Sequence, residues 1–156
     1  MEQLSFQDQI NDNGCYGCGP HNRHGLQIKS YWDVDEAVCV YHPRPYMTAG
    51  PPQFLNGGII ATLVDCHGIC TAIATAYRDE DRPIGTGDQL WYVTGNLNIS
   101  YSAPVPIDVP VHLRARVKRR AKKKMIVECT VSSNDTPCAA GEVVAIRVPS
   151  AWLTSS

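Results

Sequence analysis

Residues 56–77, NGGIIATLVDCHGICTAIATAY, carry apolar side chains at every phase of a helical turn: Ile59, Ile60, Leu63, Val64, Ile69, Cys70, Ile73, Ala74 and Ala76. A helix that is apolar on all sides is one that is enclosed on all sides. The run has roughly the length of a membrane span, but Asp65 and His67 stand midway along it, where a bilayer penalises ionisable groups most. The pattern therefore predicts a long helix wrapped by a sheet and no membrane span. Asn56 marks its start, since an Asn side-chain oxygen accepts from the free N–H groups of a first turn. Gly57 and Gly58 follow, and glycines this poor for helix formation suggest a close approach to the backbone. The polar cluster Arg78, Asp79, Glu80, Asp81 and Arg82, closed by Pro83, marks the end.

The rest of the chain reads mostly as strands. Residues 26–32 (LQIKSYW) alternate, and residues 37–41 (AVCVY) form a hairpin partner. After the helix, residues 89–101 read as a long strand with Gly95 at a bend or bulge. Residues 111–117 alternate apolar and polar, so one face is wet. Residues 118–124 (KRRAKKK) read as a hairpin tip, and 125–132 and 143–148 as the last strands. Ahead of all this, residues 1–13 read as a short amphipathic helix with Leu4, Phe6 and Ile10 on one stripe, followed by a cysteine-rich turn. Strand, strand, long helix and four strands make an α+β layout, with a largely antiparallel sheet of about six strands curled round one helix. One domain is expected over residues 1–156, its first 24 residues being the N-terminal helix and the turn.

Composition narrows the function. Net charge is −1, which gives no global bias toward nucleic acid. The N-terminus lacks the basic-then-apolar pattern of a signal peptide. Seven cysteines, several inside core elements, fit reduced thiols in a cytoplasm better than a disulfide framework.

Four features carry candidate chemistry. Asp65 is a carboxylate on an enclosed helix, so it is paired, protonated or functional. His67 is either a hydrogen-bonded core histidine or a contact to substrate or across a dimer. Cys15, Cys18, His21 and His24 have zinc-ligand types, but the histidine half is cramped, and a tight turn lying over the helix with no metal is the expectation. The basic run 118–124 is either a solvated tip or a dock for phosphates.

Three stretches resemble the hotdog-fold acyl-CoA thioesterases, in particular the phenylacetic-acid-degradation type. Asn56-Gly57-Gly58 through Asp65 is similar to that family's His-Gly-Gly…Asp helix start. Cys15-Tyr16-Gly17-Cys18-Gly19, Asn22 and Gly25-Leu26 resemble the opening of some members, and Leu97 to Tyr101 with Pro104 resembles the strand after the helix. The resemblance implies a hotdog fold, hydrolysis of an acyl-CoA thioester, no cofactor beyond the coenzyme A of the substrate, and a homodimer or dimer of dimers with active sites at the interface. It implies that Gly57 offers its N–H to the thioester carbonyl, that Asp65 is general base or nucleophile, and that Thr94 helps orient the water. Asn56 replaces the usual His and would act in its place; Gly58, His67 and Gln53 complete the expected substrate-binding set. Because Asn carries no proton at neutral pH, a non-catalytic acyl-CoA or lipid-binding module is the alternative.

Helix geometry independently asks for two chains. Gly57 and Asp65 are eight positions apart, about 12 Å along one helix. Two groups acting on one carbonyl must each lie within a few ångströms of it. If both act, they come from antiparallel helices related by a two-fold axis.

Overall fold

The computed structural model describes residues 2–154. Its elements run α1 (Phe6–Gln9), β1 (Tyr31–Asp33), β2 (Glu36–Tyr41), α2 (Gly57–Asp79), β3 (Tyr92–Tyr101), β4 (Val111–Ala121), β5 (Lys124–Ser133), β6 (Thr136–Arg147) and α3 (Ala151–Thr154). The strands form one antiparallel sheet in the order β1-β2-β4-β5-β6-β3. The sheet wraps α2, which is the hotdog arrangement. The helix has the length and apolarity of a membrane span, yet 72% of its most apolar window is buried inside the domain, which accounts for its composition. Helix and sheet pack so closely that a Cβ on Gly68 would lie 2.7 Å from a methyl of Val143.

The alternation of residues 26–30 is real, with Leu26, Ile28 and Ser30 buried, but only Tyr31–Asp33 is strand. The segment pairs with the cysteine turn and α1 instead. Leu26 N–H donates to Tyr16 O, Ile28 N–H to Gly17 O, and Phe6 N–H to Ser30 O. Gln27, at φ 59°, breaks the extended backbone between them. The N-terminal helix is likewise one turn, ended at Ile10 by extended backbone. The basic tip is shorter than its charge run. The turn is Lys122–Lys123, while Lys118 and Arg120 sit in β4, where they pair with Glu142 and Asp79. The expected irregularity in β3 falls at Gly95, where the register to β6 shifts between Thr94 and Asn96.

His67 is wholly buried and serves the core, so neither the substrate contact nor the dimer contact weighed for it forms. Its Nε2 lies 3.2 Å from Ala37 O and its Nδ1 2.8 Å from Ser30 Oγ. A carbonyl only accepts, so Nε2 carries the proton and Nδ1 accepts from Ser30. Gln7 Nε2 donates to the same Ser30 oxygen at 2.9 Å, which ties α1 to α2. Burial lowers the His67 pKa from 6.5 to about 4. The unfolded chain therefore binds a proton that the folded one refuses, and stability falls as pH drops from about 6.5 through about 4. At roughly 1.4 kcal/mol per unit this is worth roughly 3 kcal/mol. Denaturant titrations at pH 7 and pH 4 should show that loss in the wild type beyond the loss in His67→Gln; equal losses would refute it.

Candidate active site

A small hairpin delivers the chain to α2. Asn56 N–H donates to Met47 O at 2.9 Å and Leu55 N–H to Val105 O at 2.8 Å. Asn56 stands at φ −59°, ψ 132°, and its Oδ1 accepts from Gly58 N–H (2.8 Å) and Ile59 N–H (3.2 Å). With Oδ1 held by the cap, the amide NH2 of Asn56 faces away from the helix. The N–H of Gly58 is committed to that cap and is not a free donor. The N–H of Gly57 has no partner among the described residues. Two donors thus stand at the positive end of a 23-residue helix. Gln53, in the turn before them, is anchored through its carbonyl by Ile107 N–H at 2.9 Å; its side chain is exposed and bonds none of these groups.

Asp65, two turns on, is half-buried. Thr94 on β3 donates to its Oδ1 at 2.5 Å, the carboxylate's one hydrogen bond among the described residues. Burial raises its pKa above 3.8, and the Thr94 bond only partly offsets this. The Asp65–Thr94 pair opens on a cleft of about 300 Å³ between α2 and β3, whose apolar walls include Ile10, Ile69, Ile73 and Trp91. A pocket with apolar walls and one polar corner suits an acyl chain ending in a reactive carbonyl.

The cysteine turn roofs this cleft. It lies directly on the helix, since a Cβ on Gly17 would stand 2.2 Å from Cys66 Sγ. His21 and His24 are exposed and do not join Cys15 and Cys18. The two turn cysteines instead face Cys66 and Cys70 of α2. Sequence reasoning missed this grouping, although the i, i+4 spacing of Cys66 and Cys70 on one helical face was the available signal. Hydrogen bonds from the Cys15, Cys66 and Cys70 thiols push the Cys18 thiol well below its ordinary range.

Tyr101 was also missed. Its hydroxyl donates to Gly57 O at 2.8 Å. Tyr101 beside Gly57 and Thr94 beside Asp65 mean that β3 runs antiparallel to α2, spanning from the helix tip to the carboxylate. β3 is also an end strand of the sheet.

Comparison with known proteins agrees with the fold. Residues 53–140 match the family model described as the thioesterase superfamily. A thioesterase superfamily protein of Shewanella loihica PV-4 is 36% identical, with a TM-score of 0.62 over 81% of this chain and 95% of its own. Acyl-coenzyme A thioesterase THEM4 of Xenopus laevis is 29% identical over 71% of this chain, which spans 44% of that relative's length. The Escherichia coli PaaI protein of the phenylacetic acid degradation operon is 17% identical, covers 80% of this chain and 81% of its own, and has a TM-score of 0.62; it shares the fold.

Proposed function

We propose, since the chain belongs to the thioesterase superfamily, that it hydrolyses an acyl-CoA thioester in a cleft shared by two subunits. The observation that carries this is the Thr94-held Asp65 carboxylate opening on an apolar cleft beside an edge strand. Edge strands present unpaired N–H and C=O groups that a second strand can take up. Pairing β3 antiparallel with its own copy about a two-fold axis near residues 97–98 sets Thr94 opposite the partner's Tyr101. Because Tyr101 holds Gly57 and Thr94 holds Asp65, the same register carries Asp65 toward the partner's Gly57. Both ends of the helix motif then meet on one carbonyl, twice per dimer. A dimer of dimers is compatible with the same contact.

The chemistry proceeds from these groups. The Gly57 N–H and the Asn56 amide of one chain hold the thioester oxygen and take up negative charge as it develops. Asp65 of the other chain removes a proton from water, which attacks the carbonyl carbon. Collapse breaks the C–S bond, CoA departs as a thiolate, which leaves more readily than an alkoxide because thiols are the stronger acids, and the proton held by Asp65 returns to it. The products are a carboxylic acid and free CoA. Asp65 attacking the carbon directly is the covalent variant of the same geometry. A cytoplasmic setting keeps the seven thiols reduced.

The alternative, a binding module without turnover, draws on one observation: Asn56 is occupied as a cap and has no proton to transfer. A panel of acyl-CoAs assayed for free thiol decides between the two. Catalytic thiol release on at least one substrate is expected. Tight acyl-CoA binding with no release across the panel would support the module and sink the hydrolase.

A further inference from the structure

We propose that Cys15, Cys18, Cys66 and Cys70 bind one zinc ion that fastens the N-terminal turn to α2. The four cysteines line the wall of the cleft described above, and the zinc they hold has no part in the reaction proposed there. The Sγ atoms of Cys15, Cys18 and Cys66 all lie within 4.8 Å of one another. Cys15 and Cys66 are 3.7 Å apart, and Cys18 and Cys70 are 3.8 Å apart. A zinc ion at about 2.3 Å from four thiolates sets neighbouring sulfurs about 3.8 Å apart at the corners of a tetrahedron. Two thiols in simple contact stop at a similar separation, so the distances alone do not choose. The assembly does. Four of the chain's seven cysteines converge from two segments that are otherwise far apart in sequence. One pair comes from a C-x2-C turn closed by a Gly19 N–H to Cys15 O bond of 2.7 Å, the other from successive turns of a helix.

A further group points inward. The Asn13 amide donates to Cys18 Sγ at 3.8 Å, while its oxygen accepts from Cys15 N–H at 3.2 Å. That bond orients the donor, and such an outer hydrogen bond holds a metal-bound thiolate in place. Cys15, Cys18 and Cys66 form three corners; Cys70, in contact with Cys18 at 3.8 Å, supplies the fourth after a side-chain rotation. An all-sulfur tetrahedral set selects a thiophilic cation, and zinc needs no redox partner. Binding releases the four thiol protons and leaves four Zn–S bonds. Zinc adds a further tie to a segment, residues 13–30, that has no strand of its own and is otherwise joined to α2 through the Ser30–His67 hydrogen bond and the packing of Gly17 on Cys66.

The test is metal content of the full chain purified under reducing, chelator-free conditions. About one zinc per chain is expected, and cobalt exchange should give the visible bands of a tetrahedral thiolate site. Cys66→Ser should bind zinc at least tenfold more weakly, and a chelator should lower the Tm of the wild type but not of that variant. His21→Ala with His24→Ala should retain the zinc, which separates this set from the contiguous Cys and His motif. If Cys66→Ser does not fold, the cobalt spectrum of the wild type decides. Failure of the wild type to take up zinc or cobalt overturns the proposal, as does zinc loss in the histidine variant or an intact mass showing these cysteines paired as disulfides.

Discussion

Asp65→Asn is expected to lower acyl-CoA turnover by a hundred- to ten-thousand-fold, the usual range for losing a positioned general base. The substitution keeps the shape and can still accept from Thr94, so the contact at 2.5 Å has a substitute and the fold should survive. Stability should hold or rise, because the wild-type carboxylate is half-buried and its pKa is pushed upward by that burial. The same shift makes a second statement. Asp65 is active as the carboxylate, so kcat/KM should fall as pH drops through its pKa, and the midpoint should lie above the ordinary 3.8. Thiol release measured on purified, folded variant checks the first point. Unchanged turnover would remove Asp65 from the mechanism, and the shared-cleft reading with it.

Gly57→Pro is expected to cost a hundred- to a thousandfold in kcat, the effect of removing one oxyanion donor. Proline removes the N–H in question and puts its ring carbon on that nitrogen. The first helical position accepts proline well, and Asn56 at ψ 132° already has the backbone that a following proline requires. The new Cβ meets nothing nearer than 3.8 Å, a ring atom of Tyr101. The sharper result comes from mixing. A dimer of one Asp65→Asn chain and one Gly57→Pro chain has one site with both lesions and one with neither, provided each site draws on two chains. After subunit exchange, an equal mixture should regain about a quarter of wild-type activity, since half the dimers are mixed and half their sites are intact. If donor and base belonged to one chain, mixing would restore nothing.

Much of the fold was legible because burial leaves a periodic trace. The all-round apolar run could only be an enclosed helix, and α2 begins at the residue after Asn56. Gly95 in an otherwise regular strand marked a real register shift. The same alternation misled at residues 26–30, because it records which side chains are buried, not what the backbone pairs with. The run of basic residues misled about the hairpin tip for a related reason: charge marks exposure, and strand ends can be as exposed as turns.

At the site, the sequence by itself determined the local parts. Asn56 as cap, Gly57 at the helix tip and Asp65 two turns later follow from helix spacing, and so does the inability of one helix to bring tip and carboxylate to the same atom. Only the tertiary structure decided the pairings across segments. It joined Thr94 to Asp65 and Tyr101 to Gly57, withdrew His67 into a network with Ser30, and set Cys15 and Cys18 against Cys66 and Cys70 in place of the nearby histidines. Helical periodicity reaches a few residues along the chain, whereas these contacts depend on how a sheet curls round a helix, which no local spacing encodes.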